Sequence, residues 1–186
     1  MQAARQAKLF APRKAPEIYL DVETLRLSHE VVGGWKRICD FGLAVAVTWD
    51  EVHGFREWYE EQAPALVREL AATPRIITFN GERFDLQVLS KYANVSPLYP
   101  KSLDLMKELE KRLGHRVRLE SVARDTLGIS KTGSGEDAVH WWRAGNRQKV
   151  VEYCRRDVEL LRELVAYARS HRHIVLDGKQ IPVNWD

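Results

Sequence analysis

The order of strand-like and helix-like segments constrains the fold of this chain more than any other feature of its sequence. Three strand-like segments come first, at 17–22, 37–49 and 52–59, with a loop at 24–36 between the first two. In the second strand-like segment, Phe41 and Leu43 begin an alternation of apolar with small or polar residues that is typical of a strand. Helix-like and strand-like segments then alternate, which predicts an α/β fold.

The later segments complete the predicted sheet and cover its faces. Helices are predicted at 63–72, 84–92, 104–113, 119–127, 139–144 and 148–171, and further strands at 75–79 and 102–104. The 75–79 segment is apolar without alternation, so we expect it at the centre of the sheet. Residues 174–183 contain Asp177-Gly178, which is typical of a hairpin turn. The sequence thus predicts a mixed central sheet, a three-strand meander plus parallel strands, flanked by helices and followed by a C-terminal hairpin.

Carboxylates stand at the ends of the predicted strands. The apolar run at 18–20 leads into Asp21 and Glu23. These two side chains point the same way, because side chains alternate in direction along a strand. Asp85 lies where the strand at 75–79 gives way to a helix. Ligand sites in open α/β sheets lie at such strand ends, so we expect a site there.

A tyrosine and a fourth carboxylate share one face of the long C-terminal helix. Tyr153 and Asp157 are four residues apart, and residues at this spacing are neighbours on a helix surface. Four carboxylates at element ends, with a tyrosine beside the last, predict a divalent-metal site for phosphodiester hydrolysis.

The chemistry of that reaction explains the need for carboxylates. An anionic phosphodiester repels an attacking hydroxide, and the alkoxide it releases is a poor leaving group. Two Mg²⁺ or Mn²⁺ ions address both problems, since one lowers the pKa of the attacking water and the other stabilises the leaving oxygen. Both ions prefer oxygen ligands. Without metal, the clustered carboxylates repel one another, so we expect raised carboxyl pKa values.

Three motifs resemble those of a known enzyme superfamily. They are Asp21-Val22-Glu23-Thr24, then Phe79-Asn80 with Phe84-Asp85 and Leu89, and then Tyr153-Cys154-Arg155-Arg156-Asp157 with Leu160 and Leu161. In this order they resemble the DEDD superfamily of 3′–5′ exonucleases, which have a ribonuclease H-like fold. The tyrosine-type subgroup is the most similar, especially the proofreading domains of family B DNA polymerases and their stand-alone relatives. The histidine type carries His where this chain has Glu152.

The resemblance implies roles in catalysis for five residues. Asp21, Glu23, Asp85 and Asp157 would hold the two metal ions. Tyr153 would orient the attacking water or help to deprotonate it. The implied activity is a metal-dependent 3′–5′ exonuclease acting on single-stranded or frayed nucleic acid, DNA more than RNA.

The resemblance also implies contacts with the substrate. Thr24, Leu25 and Leu27 would contact the terminal nucleotide through backbone amides and an apolar wedge. Asn80 and Phe84 would line the path of the scissile strand. The expected partner is therefore nucleic acid with a single-stranded 3′ end. A helicase or polymerase is a compatible protein partner that the sequence does not specify, and no membrane contact is expected.

Each of these residues also has an ordinary structural interpretation. Asp85 suits a helix N-cap, Tyr153 a core aromatic, and Asp157 a surface ion pair with a nearby arginine. Asp21 could merely cap a turn, and Glu23 could be solvated. Two other functions also remain open: a catalytically inactive nucleic-acid-binding or docking domain of the same fold, and a ribonuclease H-type endonuclease.

Further residues beyond the three motifs allow two interpretations. Asp104 is interpreted first as a helix N-cap and second as an outer group of the site. For Trp141-Trp142, core packing is favoured over a base-stacking platform. Residues 131–135 are interpreted as a flexible loop that touches a nucleic-acid backbone.

Composition limits the chain to one ordinary domain. It has 186 residues, 45% hydrophobic and 30% charged, which is long enough to bury a core. We expect a basic flexible leader at 1–16 and a single domain at 17–186. The net charge of +3 does not by itself indicate nucleic acid. Two basic clusters are interpreted first as solvated helix faces: Arg112, His115, Arg116 and Arg118, and Arg143, Arg147, Lys149, Arg155 and Arg156.

Cysteine usage and hydropathy bear on location. Cys39 and Cys154 have no metal-ligand spacing, and we expect both as buried thiols in a reducing compartment. No segment approaches the length of a membrane span. The sequence therefore predicts a cytoplasmic protein.

Overall fold

A computed structural model describes residues 16–129 and 133–186, so nearly all of the predicted leader at 1–16 lies outside the described residues. The strands are β1 Glu17–Thr24, β2 Leu43–Asp50, β3 Gly54–Trp58, β4 Arg75–Thr78, β5 Ser102–Asp104, β6 His173–Leu176 and β7 Lys179–Pro182. The α-helices are α1 Ala63–Ala72, α2 Asp85–Leu89, α3 Leu105–Leu113, α4 Leu119–Leu127, α5 Gly135–Arg143 and α6 Arg147–His171. Short 3₁₀ helices lie at Ser28–Glu30, Gly34–Phe41, Glu60–Gln62 and Ser96–Lys101.

Five strands form one mixed sheet in the order β3-β2-β1-β4-β5. The β1–β2 and β2–β3 pairs are antiparallel, and the β1–β4 and β4–β5 pairs are parallel. The remaining strands, β6 and β7, pair as a separate antiparallel hairpin. This arrangement confirms the predicted α/β fold, with a meander, parallel strands and a C-terminal hairpin.

Helices bury both faces of the sheet in two cores. One core joins Val45 and Val47 of β2 to Leu161 and Val165 of α6. The other joins the opposite face of the sheet to α1 and α2, with Leu20 among its central side chains. Burying one leucine or valine side chain contributes about 1.5–3 kcal/mol, so each layer is held mainly by its apolar contacts with the sheet.

The segment before β2 differs from the prediction. A strand was expected over 37–49, but Gly34–Phe41 is a 3₁₀ helix and β2 begins at Leu43. The backbone of Gly42 has φ 72° and ψ 151°, a conformation that favours glycine and interrupts the extended chain. The alternation that begins at Phe41 continues across this break and therefore suggested a longer strand. In addition, β2 is buried on both faces from Leu43 to Thr48, so its alternation reflects residue size more than exposure.

Smaller differences concern helix ends and thiols. The helix predicted over 84–92 is shorter, Asp85–Leu89, and α5 begins before the predicted residue 139 because Ser134 caps it by accepting a hydrogen bond from the amide of Asp137. The thiol prediction is confirmed for Cys154, which is buried, whereas Cys39 is half-buried. Across the described residues, none of the helices has both the length and the apolar character needed to span a membrane.

Candidate metal centre and active site

Three of the predicted carboxylates converge between β1 and α6. Asp21 and Glu23 lie opposite Val47 and Val45 of β2, and both valines belong to the core that α6 covers. Asp157 projects from α6 toward the same place. One carboxylate oxygen from each of Asp21, Glu23 and Asp157 lies within 4.8 Å of the others. Glu23 and Asp157 are buried and Asp21 is half-buried, so the charges lie together with little solvent around them.

The close approach of α6 to β1 depends on a small side chain. The Cys154 thiol is fully buried and donates a hydrogen bond to the carbonyl oxygen of Asp21 at 3.3 Å. Burial raises the pKa of this thiol, and the charges of Asp21 and Glu23 add to the effect. Cys154 is therefore held as a neutral thiol, and it fixes the helix against the strand that carries the first two carboxylates.

Asp85 approaches the cluster from the other layer of the sheet. It begins α2 and is 3% exposed. Burial raises the pKa of its carboxyl group well above the ordinary value, and the charge of Asp21 raises it further, whereas hydrogen bonds from the amides of Asp85 and Val22 act in the opposite direction. Its Oδ1 atom has no hydrogen-bond partner among the described residues. A bound cation would satisfy this oxygen and stabilise the charged form.

The turn before Asp85 is held by Asp104. Asp104 caps α3 by accepting hydrogen bonds from the amides of Met106 and Lys107, which confirms its predicted N-cap role. Its carboxylate also accepts hydrogen bonds from the amide of Asn80 at 2.7 Å and that of Glu82 at 3.1 Å. Burial raises the pKa of Asp104, and the hydrogen bonds from Glu82 and Asn80 oppose that rise. Asp104 thus fixes the position from which α2 and Asp85 start.

Tight backbone geometry in the same turn explains its residue types. Asn80 has φ 68°, which asparagine tolerates better than most residues. A Cβ atom on Gly81 would lie 2.4 Å from side-chain atoms of Thr78, so only glycine fits there. The turn and the Asp104 contacts together determine where Asp85 lies.

Tyr153 lies one helical turn before Asp157 and is 9% exposed. Its ring meets Trp141 edge to face, with centroids 5.8 Å apart. The Lys149 ammonium lies 3.8 Å from the centroid of Trp141. Tyr153 is therefore packed as a core aromatic and also lies on the face of α6 that carries Asp157, so packing and a role in the site are compatible.

The predicted nucleotide contacts after β1 are partly engaged within the protein. The Thr24 hydroxyl donates to the carbonyl of Arg26 at 3.2 Å. The Leu25 amide donates to the carbonyl of Gly42 at 3.1 Å, and the Leu27 amide donates to Glu30 at 2.8 Å. Because these amides already have acceptors, the half-buried side chains of Leu25 and Leu27 are the groups left for a substrate.

The second pair of predicted contacts lies on the Asp85 side. Asn80 accepts a hydrogen bond on Oδ1 from Arg116 at 2.6 Å. Phe84 is half-buried and its ring centroid lies 6.3 Å from that of Phe41 and 6.3 Å from that of Trp35. Arg116 comes from the first predicted basic cluster, so that cluster reaches the turn before Asp85.

Most of the second basic cluster is engaged with other side chains. Arg155 and Arg156 pair with Glu159, whereas Arg147 lies over the ring of Trp142 at 5.0 Å. Apart from the half-buried Arg156, the residues of this cluster are exposed, so the predicted solvated helix face is confirmed, with ion pairs along part of it. Trp141 and Trp142 are half-buried and pack against the core that α6 covers, in agreement with the core packing that was favoured for them. The Lys131–Gly135 loop falls partly outside the described residues, but Gly133 lies beside Trp141 and Tyr153.

One link that the sequence did not predict joins α5 to the loop after β1. Arg143 donates to Glu30 at 2.7 Å and 2.5 Å and to the carbonyl of Leu25 at 3.1 Å. The hydrogen bond from Arg143 and that from the amide of Leu27 lower the pKa of Glu30 to about 2. The two partners are 113 residues apart in sequence, so no local pattern indicates the pair.

The donor set of the main cluster fits hard divalent cations. Its ligands are all carboxylate oxygens, as Mg²⁺ and Mn²⁺ prefer. A second group of suitable residues, Asp50, His53 and Glu69, is different. Arg56 donates to both Asp50 and Glu69 through one nitrogen, so a guanidinium already supplies the positive charge there. Among the described residues, the cluster of Asp21, Glu23 and Asp157 is therefore the stronger candidate for a metal centre.

Comparisons with known proteins establish the superfamily of the chain. The sequence matches the model of the RNase H superfamily over residues 18–170, and the chain therefore belongs to that superfamily. No curated protein sequence matches it significantly. The family match confirms, at the level of the superfamily, the resemblance that the three motifs indicated.

Solved structures share the fold at low sequence identity. A family B DNA polymerase from the hyperthermophilic archaeon Pyrobaculum calidifontis has a TM-score of 0.60 and 11% identity, over 85% of this chain but only 25% of the polymerase. Trypanosoma brucei RNase D has a TM-score of 0.61 and 16% identity, over 90% of this chain and 62% of that protein. The same RNase D in complex with RNA U12 has a TM-score of 0.62 and 15% identity, over 100% of this chain and 72% of that chain.

Proposed function

We propose that this protein is a metal-dependent 3′–5′ exonuclease that hydrolyses phosphodiester bonds of single-stranded or frayed nucleic acid. The observation that carries the proposal is the convergence of Asp21, Glu23 and Asp157 within 4.8 Å. Asp85 extends the group, because the charge of Asp21 raises the pKa of its buried carboxyl. The order of the three motifs supports the tyrosine-type subgroup of the DEDD superfamily.

The four carboxylates would hold two Mg²⁺ or Mn²⁺ ions. Bound there, the ions supply Lewis acidity for the attacking water and for the leaving oxygen. The protein contributes a rigid arrangement of ligands. Cys154 holds α6 against β1, and Asp104 holds the turn that precedes Asp85.

Tyr153 would orient the attacking water by a hydrogen bond from its phenol. A phenol is a poor base at neutral pH, so orientation is its main contribution and proton removal is secondary. Because the ring of Tyr153 packs against Trp141, the tyrosine side chain would lose little conformational entropy when it aligns the water.

The substrate would lie between the residues that follow β1 and those that precede Asp85. The side chains of Leu25 and Leu27 would form an apolar wedge against the terminal nucleotide, with Thr24 beside them. Asn80 and Phe84 would contact the scissile strand on the Asp85 side. We propose DNA as the preferred substrate because the motifs are most similar to those of the polymerase proofreading domains. A helicase or polymerase partner also stays a prediction.

A labelled strand tests the proposal and separates it from its two alternatives. With Mn²⁺ and a 5′-labelled single strand, an exonuclease gives a ladder that shortens from the 3′ end. Internal cuts would indicate a ribonuclease H-type endonuclease. Absence of product would indicate an inactive nucleic-acid-binding or docking domain. Running DNA and RNA strands of the same sequence in parallel determines the substrate preference.

Matched variants connect the activity to the cluster. Asp157→Asn should abolish product while the fold persists, and Asp21→Ala should do the same. Asp177→Asn is the control, because Asp177 is exposed in the hairpin turn with φ 50° and asparagine accepts that backbone. Wild-type rates in both site variants would contradict the assignment.

A further inference from the structure

Trp35 is unusually exposed for a tryptophan. Its side chain is 66% exposed, and Val32, three residues earlier, is 96% exposed. Tryptophan is highly buried on average, so a large exposed indole is a candidate contact for a ligand. A single exposed valine, by contrast, is common on protein surfaces and would not by itself indicate a ligand contact.

The surroundings of Trp35 connect it to the proposed active site. It belongs to residues 25–42, which join β1 to β2 and are called here the β1–β2 insertion. Its ring centroid lies 5.5 Å from that of Phe41 and 6.3 Å from that of Phe84. Phe84 directly precedes Asp85. The exposed indole is therefore the outer end of an aromatic row that begins beside a carboxylate of the site.

Several hydrogen bonds hold the insertion in place. The Leu25 amide donates to the carbonyl of Gly42 at 3.1 Å, and Arg26 donates to the carbonyl of Asp40 at 3.0 Å. Within the first part of the insertion, Arg143 donates to Glu30 and to the carbonyl of Leu25. Trp35 thus projects from a segment that hydrogen bonds already hold in place. Stacking a ligand on it would therefore cost little conformational entropy of the protein chain.

The charge of the insertion suits a polyanion. It carries Arg26, Lys36 and Arg37 against Glu30 and Asp40, which is three positive side chains and two negative ones. Both acids are ion-paired, Glu30 with Arg143 and Asp40 with Arg37. Since Arg37 is itself the partner of Asp40, Arg26 and Lys36 supply the remaining positive charge. An exposed indole close to them in sequence favours an unpaired nucleobase with its phosphate over an apolar partner.

We infer that Trp35 is a stacking platform for a base of the bound strand, upstream of the nucleotide that is released. The inference rests on the proposed function, because it places the strand along Phe84 toward Trp35. It adds a contact outside the three motifs and gives a reason for a preference for single strands: a base can stack on Trp35 only when it is unpaired.

Strand binding tests this directly. The probe is a fluorescein-labelled oligothymidine strand, titrated by anisotropy with Ca²⁺ in place of Mg²⁺ to avoid turnover. Trp35→Ala should weaken binding by about 5- to 100-fold, the range for loss of one base-stacking contact. Trp35→Phe should retain most of the affinity, which would separate stacking from loss of fold. Val52→Ala is the control, since Val52 is 83% exposed but lies in the β2–β3 turn at the opposite end of β2.

Substrate length distinguishes this inference from the proposed function. With a long strand, Trp35→Ala should raise KM with little change in kcat, whereas hydrolysis of a dinucleotide, too short to reach Trp35, should be unchanged. If the wild type cleaves the strand and Trp35→Ala binds it equally well, the inference is overturned. The exposed residues Val32 and Trp35 would then be a candidate contact for a protein partner. If the wild type cleaves nothing but Trp35→Ala still weakens binding, the inference holds and the proposed function fails. A wild type that does not bind the strand overturns both.

Discussion

The thiol of Cys154 and the carbonyl oxygen of Asp21 form a hydrogen bond of 3.3 Å that joins α6 to β1. Cys154 lies immediately after Tyr153 and one helical turn from Asp157, and Asp21 is the first carboxylate of the site. The contact therefore determines how closely the helix carrying Asp157 and the strand carrying Asp21 and Glu23 approach each other.

Enlarging the side chain at this contact should separate the ligands. Cys154 is fully buried, so Cys154→Leu should destabilise the fold by about 1–3 kcal/mol through overpacking and weaken Mn²⁺ binding. Cys39→Leu is the matched control, because Cys39 is half-buried and lies in the 3₁₀ helix before β2. Denaturant unfolding and calorimetric Mn²⁺ titration measure the two effects. Unchanged Mn²⁺ affinity in Cys154→Leu would show that this contact does not position the ligands.

The buried charge of Asp85 should make the metal-free protein sensitive to pH. Burial and the charge of Asp21 raise the pKa of Asp85 in the folded state, compared with about 3.9 in an unfolded chain. The folded state thus binds the proton more tightly. The resulting stability is present below the unfolded pKa and is lost as pH rises through the raised folded pKa.

Asp85→Asn should therefore be more stable than the wild type at neutral pH in chelator, and the difference should shrink as the pH falls toward about 4. Adding Mg²⁺ should stabilise the wild type more than the variant, because only the wild type keeps all four carboxylates. Thermal unfolding across pH, with Asp177→Asn as a control, checks both effects. A less stable Asp85→Asn protein in chelator would contradict the expected strain at this carboxyl.

The phenol of Tyr153 should matter for rate and not for binding. Tyr153→Phe keeps the ring that packs against Trp141, so metal and strand affinity should be retained. The single-turnover rate should fall by about 10- to 1000-fold, as expected for loss of one positioned catalytic group. Tyr167→Phe is a control on the same helix, where the ring stacks on His171 with centroids 4.0 Å apart. Loss of metal binding in Tyr153→Phe would make the tyrosine a structural residue or a ligand, and an unchanged rate would make it core packing only.

Removing the carboxylate of Asp104 should damage both the fold and the site. Asp104→Ala leaves the amides of Asn80, Glu82 and Met106 without their acceptor. A lost cap and lost hydrogen bonds to a charged group together predict a loss of about 2–4 kcal/mol in the free energy of unfolding. Ser134→Ala, which removes the cap of α5, gives the cost of a cap alone. If Asp104→Ala costs no more than Ser134→Ala, the contacts with the turn contribute nothing.

Local sequence patterns predicted the parts of the site that lie on regular elements. Asp21 and Glu23 follow an apolar strand, and Tyr153 and Asp157 have helical spacing, so periodicity alone placed each pair on one face. The mixed sheet followed from the order of the segments. These features depend on neighbours in sequence, and the structure retains them.

The remaining contacts depend on residues that are distant in sequence or on backbone geometry. Arg143 and Glu30 meet only after α5 packs beside the β1–β2 insertion. That insertion was misjudged because Gly42 interrupts an alternation that otherwise continues from Phe41 to Leu43. The exposure of Trp35 could not be foreseen, since most tryptophans are buried and only the packed structure shows which are not.

The parallel pairing of β1 with β4 extends only to Tyr19 and Ile77, so Asp21 and Glu23 lie beyond the last paired residues of β1 and β4. Asp157 belongs to the layer of α6, and Asp85 belongs to the layer of α1 and α2, with the sheet between them. The proposed catalytic carboxylates thus include one member on each side of the sheet. Loosening the packing of either helix layer on the sheet would move its carboxylate away from the others. Activity should therefore decline on heating before the sheet unfolds. Residual activity would then report whether both helix layers are still packed on the sheet.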